Sequence, residues 1–208
     1  MTDVFDMLTD ERRRTADLLE TLSEEQLATQ SLCGLWTVKE VAAHLTALWE
    51  VGTVGFIPAI VRARGNFDKA NDRITKRLVQ RSMDEIVASI RENAGNRSTP
   101  PTFGAEAPLT DVIIHTQDIC RPLGIARDVA PERTRIVLDL QTSGKVKRLG
   151  IPSVDGLHLV ATDQDWSRGA GPEVRGRSVD LATALHGRTD AIADLEGDGV
   201  EDFQRRVA

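Results

Sequence analysis

The stretch that decides the fold is PLTDVIIHTQDICRPLG, residues 108–124. A proline near each end suits the first turn and the termination of a single helix. Asp111, His115 and Asp118 follow one another at steps of four and three, which places the three side chains on one face of that helix. The rest of the helix is largely apolar, which predicts burial, and a buried polar face needs a partner.

Spacing alone leaves two interpretations of this polar face open. A carboxylate and an imidazole four residues apart lie about 6 Å apart along the axis and can bind one metal ion together. Alternatively, Asp111 lies in the first turn, where the helix dipole favours an acid, and His115 bonds a neighbouring carbonyl group. His44, on the inward face of another predicted helix, is likewise either a ligand or a satisfied core residue.

Composition excludes several classes of protein. The chain has 208 residues, 40% of them apolar, enough for one large or two small domains. Its net charge of -6 argues against nucleic-acid binding. The arginine run 12–14 is interleaved with acids and predicts a solvated helix face. Cys33 and Cys120 form no CxxC motif, and neither a signal peptide nor an apolar span is present, so a cytoplasmic protein with free thiols is expected.

The order of elements predicts a helical first half and a mixed tail. Capping boxes at 37–40 and 82–85 begin two helices, and residues 3–22, 67–81 and 108–124 supply others. The tail predicts a helix over 131–141, a strand over 157–162, a turn over 166–171, a second strand over 172–176, and short helices over 179–185 and 201–207. The fold class is therefore mainly α with an α+β tail.

Blocks spread over nearly the whole chain carry a family resemblance. They are LSEEQL (22–27), SLCGLWTVKEVAAHL (31–45) and HTQDICRPLG (115–124), and in the tail ATD (161–163), Trp166, GAG (169–171), VRG (174–176) and LHGR (185–188). These blocks resemble the mycothiol-dependent maleylpyruvate isomerase family, which belongs to the DinB-like metal-binding helical bundles. The tail blocks resemble that family's small C-terminal domain, which has a sterol-carrier-like shape.

The resemblance implies a fold and a metal site. The fold is a DinB-like up-down four-helix bundle over residues 1–148, followed by a small α+β domain over 149–208. The family's three ligands correspond to His44, Asp111 and His115, and two imidazoles with one carboxylate favour zinc with an open fourth position. The family commonly has Glu where this chain has Asp111, so Asp118 could replace that acid or orient a ligand from behind.

The resemblance also implies chemistry with mycothiol as cosubstrate. A divalent metal would favour the thiolate, which adds to an activated double bond of a small electrophilic substrate. Release of the thiolate gives an isomerase, and its retention gives an S-transferase. Asp118 and Arg188 are the candidate catalytic residues, and Arg121 and Arg175 are the candidates for binding the cosubstrate. Each arginine could equally form a surface or interdomain ion pair.

Two other functions stay open at this point. One is a non-catalytic small-molecule-binding or stress-related protein on the same scaffold, with the metal structural or absent. The other is a metal-dependent hydrolase with Asp118 as the base. In each case the expected partners are small molecules, with no nucleic acid and no membrane, and the expected state is a monomer or homodimer.

Overall fold

The computed structural model describes residues 3–34, 36–144 and 151–207, apart from the side chains of residues 53 and 54. The chain divides into two compact units, Met1–Ala126 and Arg127–Ala208. The boundary expected between residues 148 and 149 falls in 145–150, outside the described residues. The helix predicted over 131–141 groups with the second unit, whereas the sequence analysis assigned it to the first domain, because it packs against a helix of the tail.

The first unit is helical throughout its regular structure. Its helices are α1 (Val4–Glu20), α2 (Glu24–Ala28), α3 (Val38–His44), α4 (Ala47–Glu50), α5 (Gly52–Arg62), α6 (Phe67–Leu78), α7 (Met83–Glu92) and α8 (Glu106–Cys120). The predicted capping boxes are present at the starts of α3 and α7, where a hydroxyl and a carboxylate satisfy backbone N–H groups reciprocally.

Four of these helices form the predicted bundle. Helix α1 packs against α7 and α8, and α3 packs against the same two helices, so the four enclose one core. Fully buried aliphatic side chains fill that core; they include Leu8, Leu19, Val41, Ile86, Ile90, Leu109, Ile113 and Ile119. The mainly α fold class is therefore confirmed.

Helix α8 is the most deeply buried of the long helices. It begins at Glu106, two residues before the predicted start, so that Pro108 lies in its first turn, where no backbone N–H is needed. Its side chains are buried on nearly every face. Thr116 meets the hydroxyl of Thr15 on α1 at 3.0 Å and donates to the carbonyl of Val112, so this polar contact in the core is satisfied.

The second unit is a small α+β domain. It contains α9 (Pro131–Gln141), β1 (His158–Ala161), β2 (Ser167–Gly169), β3 (Glu173–Gly176), α10 (Ser178–Leu185), a 3-10 helix (Thr189–Asp194) and α11 (Val200–Val207). The strand order is β2-β1-β3, with β1 antiparallel to β2 and parallel to β3. Helix α10 packs against α9 and the 3-10 helix.

Strand β2 corrects one sequence-based expectation. Residues 166–171 were predicted to form a turn, whereas Ser167–Gly169 pairs with β1 at the sheet edge. All three residues of β2 are exposed, so no alternation of apolar side chains reveals the strand. At Gly169 the backbone has φ +86°, and a Cβ atom would lie 2.2 Å from the carbonyl oxygen of Leu157.

Among the described residues, no helix is both long enough and apolar enough to cross a lipid bilayer.

Candidate metal centre

Local sequence fixes the helix that carries His44. Thr37 is the N-cap of α3: its hydroxyl accepts from the N–H of Glu40 at 3.3 Å, and the Glu40 carboxylate accepts from the N–H of Thr37 at 2.8 Å. The following apolar residues Val38 and Val41 are fully buried, so one face of α3 packs into the core of the bundle. His44 is the last residue of α3 and therefore lies at the end of this anchored segment.

Three side chains from α3 and α8 converge. The Nε2 atom of His44 lies 3.8 Å from Oδ1 of Asp111, and Nε2 of His115 lies 3.5 Å from the same oxygen. The two imidazole rings have centroids 4.9 Å apart in an edge-to-face arrangement. Both histidine side chains are 12% exposed, whereas that of Asp111 is 49% exposed. Solvent therefore reaches the cluster mainly at Asp111.

Asp118 binds the opposite side of His115. Its Oδ2 accepts a hydrogen bond from Nδ1 of His115 at 2.8 Å, and its side chain is completely buried. This bond fixes the ring orientation and leaves Nε2 directed at Asp111. A carboxylate behind a histidine in this way is the usual arrangement at metal-binding histidines.

The charges around His115 favour its protonated form when no metal is bound. Burial disfavours the cation, but Asp111 and the bonds to Asp118 and Cys33 outweigh burial and raise the pKa of His115 to about 10. A cation is therefore stabilised at this point, and a metal ion would compete with the proton for the same nitrogen.

The donor set fits a zinc ion. Two imidazole nitrogens and one carboxylate oxygen are ligands of catalytic zinc sites, and the ligand atoms of these three residues all lie within 4.8 Å of one another. Ligand atoms arranged tetrahedrally about zinc are separated by roughly 3.3–3.5 Å. The measured separations of 3.5 and 3.8 Å approach that value, so small side-chain movements suffice.

Two residues that the sequence analysis did not assign to the site adjoin it. Trp36 is buried, and its ring centroid lies 4.8 Å from that of His44. Cys33 is a half-buried free thiol that forms a second group of possible ligands with His115 and Asp118. Both belong to the block 31–45, but only the folded chain brings Cys33 to a helix far away in sequence.

Arg12 is a third such residue, and here the sequence-based prediction is wrong. The arginine run was expected to be a solvated face, whereas Arg12 is only 4% exposed. It lies four residues after Leu8 and four before Ala16, on the buried stripe of α1, and that spacing was the available signal. Arg12 lines a small pocket together with Asp111, Trp49 and Leu45.

The remaining predicted site residues lie elsewhere. Arg121 is the half-buried C-cap residue of α8. Arg175 and Arg188 belong to the second unit. Arg175 pairs with Glu173 on its own strand at 3.5 Å. Arg188 donates to the carbonyl of His186 at 2.6 Å. Their predicted roles stay predictions.

Fold and site together define a helical-bundle protein with a candidate metal centre between two helices and a small α+β second unit. Residues 8–98 match the family model described as the mycothiol maleylpyruvate isomerase N-terminal domain. The match confirms, for residues 8–98, the resemblance found in the sequence.

Solved structures agree with the fold. The crystal structure of a mycothiol-dependent maleylpyruvate isomerase is 17% identical, with a TM-score of 0.55 over 95% of this chain and 96% of that one. A histidine-to-alanine mutant of such an isomerase matches at 16% identity with the same TM-score and coverage. At this identity the likeness shows the fold. A search of curated proteins finds no significant match.

Proposed function

We propose that this chain binds a divalent metal ion, most simply zinc, through His44, Asp111 and His115. We further propose that it uses mycothiol as a cosubstrate with a small electrophilic substrate. The observation that carries the proposal is the convergence of two imidazoles and one carboxylate from α3 and α8, with the Asp118 carboxylate behind His115. The family of residues 8–98 and the names of the matched structures supply the identity of the thiol.

The reaction class follows from what a thiolate does to an activated double bond. Addition converts the double bond to a single bond that can rotate; expulsion of the thiolate then gives the isomer, and its retention after proton uptake gives a thioether. A bound zinc ion would supply Lewis acidity that favours the thiolate at neutral pH. The choice between isomerase and S-transferase therefore depends on whether the adduct can expel the thiolate.

The protein's own residues would prepare the site for this chemistry. Asp118 holds His115 so that its Nε2 faces Asp111. The Trp36 ring lies against His44. Asp111 is the most exposed of the three proposed ligands, so the cosubstrate would approach from its side.

The geometry disfavours the hydrolase with Asp118 as its base. The Asp118 carboxylate is completely buried and bonds Nδ1 of His115, on the far side of the ring from Asp111. A base must lie within hydrogen-bond reach of the proton that it removes. We therefore propose that Asp118 orients His115. A non-catalytic binding protein remains the alternative that the experiment must distinguish.

The first experiment tests the metal site. Metal content is measured for purified wild type and for His44→Ala, Asp111→Ala and His115→Ala, with His158→Ala as a control histidine of the second unit. Stoichiometric zinc in wild type and the control, with a large loss in the three site variants, is expected. Retention of zinc by all three variants would refute the assignment.

Cys33→Ala separates the two possible ligand groups. Zinc bound by His44, Asp111 and His115 survives this change, whereas zinc bound by Cys33, His115 and Asp118 does not. His44→Ala gives the opposite pattern. Loss of zinc in the cysteine variant together with its retention in the His44 variant would move the site to the second group.

The second experiment tests the reaction. Zinc-loaded protein is offered mycothiol with maleylpyruvate, and mycothiol with a halogenated bimane. Product formation should require the thiol and should fall with zinc content across the variants; glutathione serves as the control thiol. Full zinc occupancy with no turnover of either pair would favour the non-catalytic binding protein.

A further inference from the structure

Arg12 is a buried cation held in a fixed orientation. Its Nη1 atom donates to three carbonyl oxygens that follow the end of α7, those of Asn93, Ala94 and Asn96, at 3.4, 3.1 and 2.7 Å. The face of the Trp49 ring lies 5.1 Å from the guanidinium carbon. Trp49 is itself fixed, because its indole N–H donates to Ser89 at 2.9 Å.

The other edge of the guanidinium has no such partner. Nε and Nη2 of Arg12 make no hydrogen bond with any residue that the structure describes, although the side chain is more than nine-tenths buried. Arg12 also lines a pocket of about 20 Å³ whose wall includes Asp111. One water needs about 10–15 Å³, so the space fits one or two oxygen-sized groups.

We infer that this pocket is an anion subsite in which the free edge of Arg12 binds a carboxylate beside the candidate metal centre. A guanidinium presents two parallel N–H donors that match the two oxygens of a carboxylate. Because Asp111 borders the same pocket, the bound carboxylate would lie next to the proposed zinc ligands. The role of this anion as part of the electrophilic substrate rests on the proposed function; its binding to Arg12 does not.

Charge at the pocket supports this inference. Burial lowers the pKa of Arg12 to about 10, and the nearby Asp111 opposes that shift, so the guanidinium remains charged at neutral pH. Without a metal, Asp111 repels an incoming anion. Coordination of a cation by Asp111 would offset this negative charge, so we expect the anion to bind more tightly to zinc-loaded protein than to metal-free protein.

The test uses formate as the probe and needs no thiol. Formate is titrated into the full-length chain, with and without zinc, and the three tryptophan indole N–H signals are followed by NMR; Trp49→Phe identifies the pocket signal. Saturable movement of the Trp49 signal is expected in wild type. Arg12→Gln and Arg12→Lys should weaken formate binding at least tenfold, since lysine lacks the planar fork. The exposed neighbour Arg13→Gln should bind like wild type.

Several results would overturn the inference. These are equal affinity in Arg12→Gln and wild type, equal movement of all three indole signals, or binding that needs zinc and persists without Arg12, which would put formate on the metal. If neither Arg12 variant folds, a nuclear Overhauser contact between formate and the Trp49 indole in wild type decides, and its absence refutes the subsite. Intact formate binding without thiol-dependent turnover would refute the proposed function alone.

Discussion

Replacing Asp118 by asparagine isolates the contribution of the carboxylate behind His115. Oδ2 of Asp118 accepts a 2.8 Å hydrogen bond from Nδ1 of His115, and the Asp118 side chain is completely buried. Asparagine keeps the size of the side chain but removes the charge. It lets the amide oxygen still accept from Nδ1, so the ring can keep its orientation while the electrostatic support is lost.

The expected magnitude follows from comparable metal sites. Loss of a carboxylate partner behind a metal-binding histidine typically lowers metal affinity 10- to 100-fold, which corresponds to about 1.4–2.7 kcal/mol. The metal-free variant should also show a lower pKa for His115, because the bond to Asp118 is one of the interactions that raise it. Both effects have the same cause, the weaker stabilisation of positive charge at the ring.

Zinc affinity is measured by competition with a chromophoric chelator, and the His115 pKa by NMR titration of the metal-free protein. Asp139→Asn is the matched control, because Asp139 accepts from the Trp166 indole at 2.9 Å in the second unit and does not belong to either candidate ligand group. A change of less than threefold in zinc affinity for Asp118→Asn, with folding intact, would refute the orienting role. A comparable loss in the control would trace the effect to general destabilisation.

Three further predictions concern the helix caps, the pH dependence of stability and the buried face of α8. Thr37→Ala and Ser82→Ala each remove an N-cap and should each lower the free energy of unfolding in urea by about 1 kcal/mol. Only Thr37→Ala should also weaken zinc binding, because α3 carries the proposed ligand His44; equal zinc affinity in both variants would contradict this. In metal-free protein, the raised pKa of His115 means that its protonation stabilises the folded state fully below pH 6.5 and progressively less as the pH rises toward 10. The free energy of unfolding measured in urea should therefore decline between pH 6.5 and 10, and a flat profile would contradict this. Ile113→Ala should cost about 2–5 kcal/mol and the exposed Ile57→Ala less than about 0.5 kcal/mol, and similar midpoints for the two would contradict the burial assigned to α8.

The residues that sequence reasoning identified share a local signal. Asp111 and His115 are one helical turn apart, so their common face follows from the 3.6-residue period without knowledge of the fold. Thr37 and Glu40 form a capping box within four residues, and the structure confirms it. The family blocks then related His44 to this pair, and the structure brings the three candidate ligand atoms within 4.8 Å of one another.

The sequence by itself determined α1, α3, α6, α7 and α8, the capping boxes of α3 and α7, the polar face of α8 and the family resemblance, because each depends on neighbours a few residues apart. It did not predict α5, whose glycines and Pro58 are typical of a helix break rather than a helix. Only the tertiary structure decided that Cys33 reaches the ring of His115, and that Asp118 bonds Nδ1 of His115, one of the two arrangements left open for it. It also decided that Ser167–Gly169 is a strand. Those outcomes depend on side-chain rotamers and on how helices and strands pack, which the periodicity of the sequence does not fix.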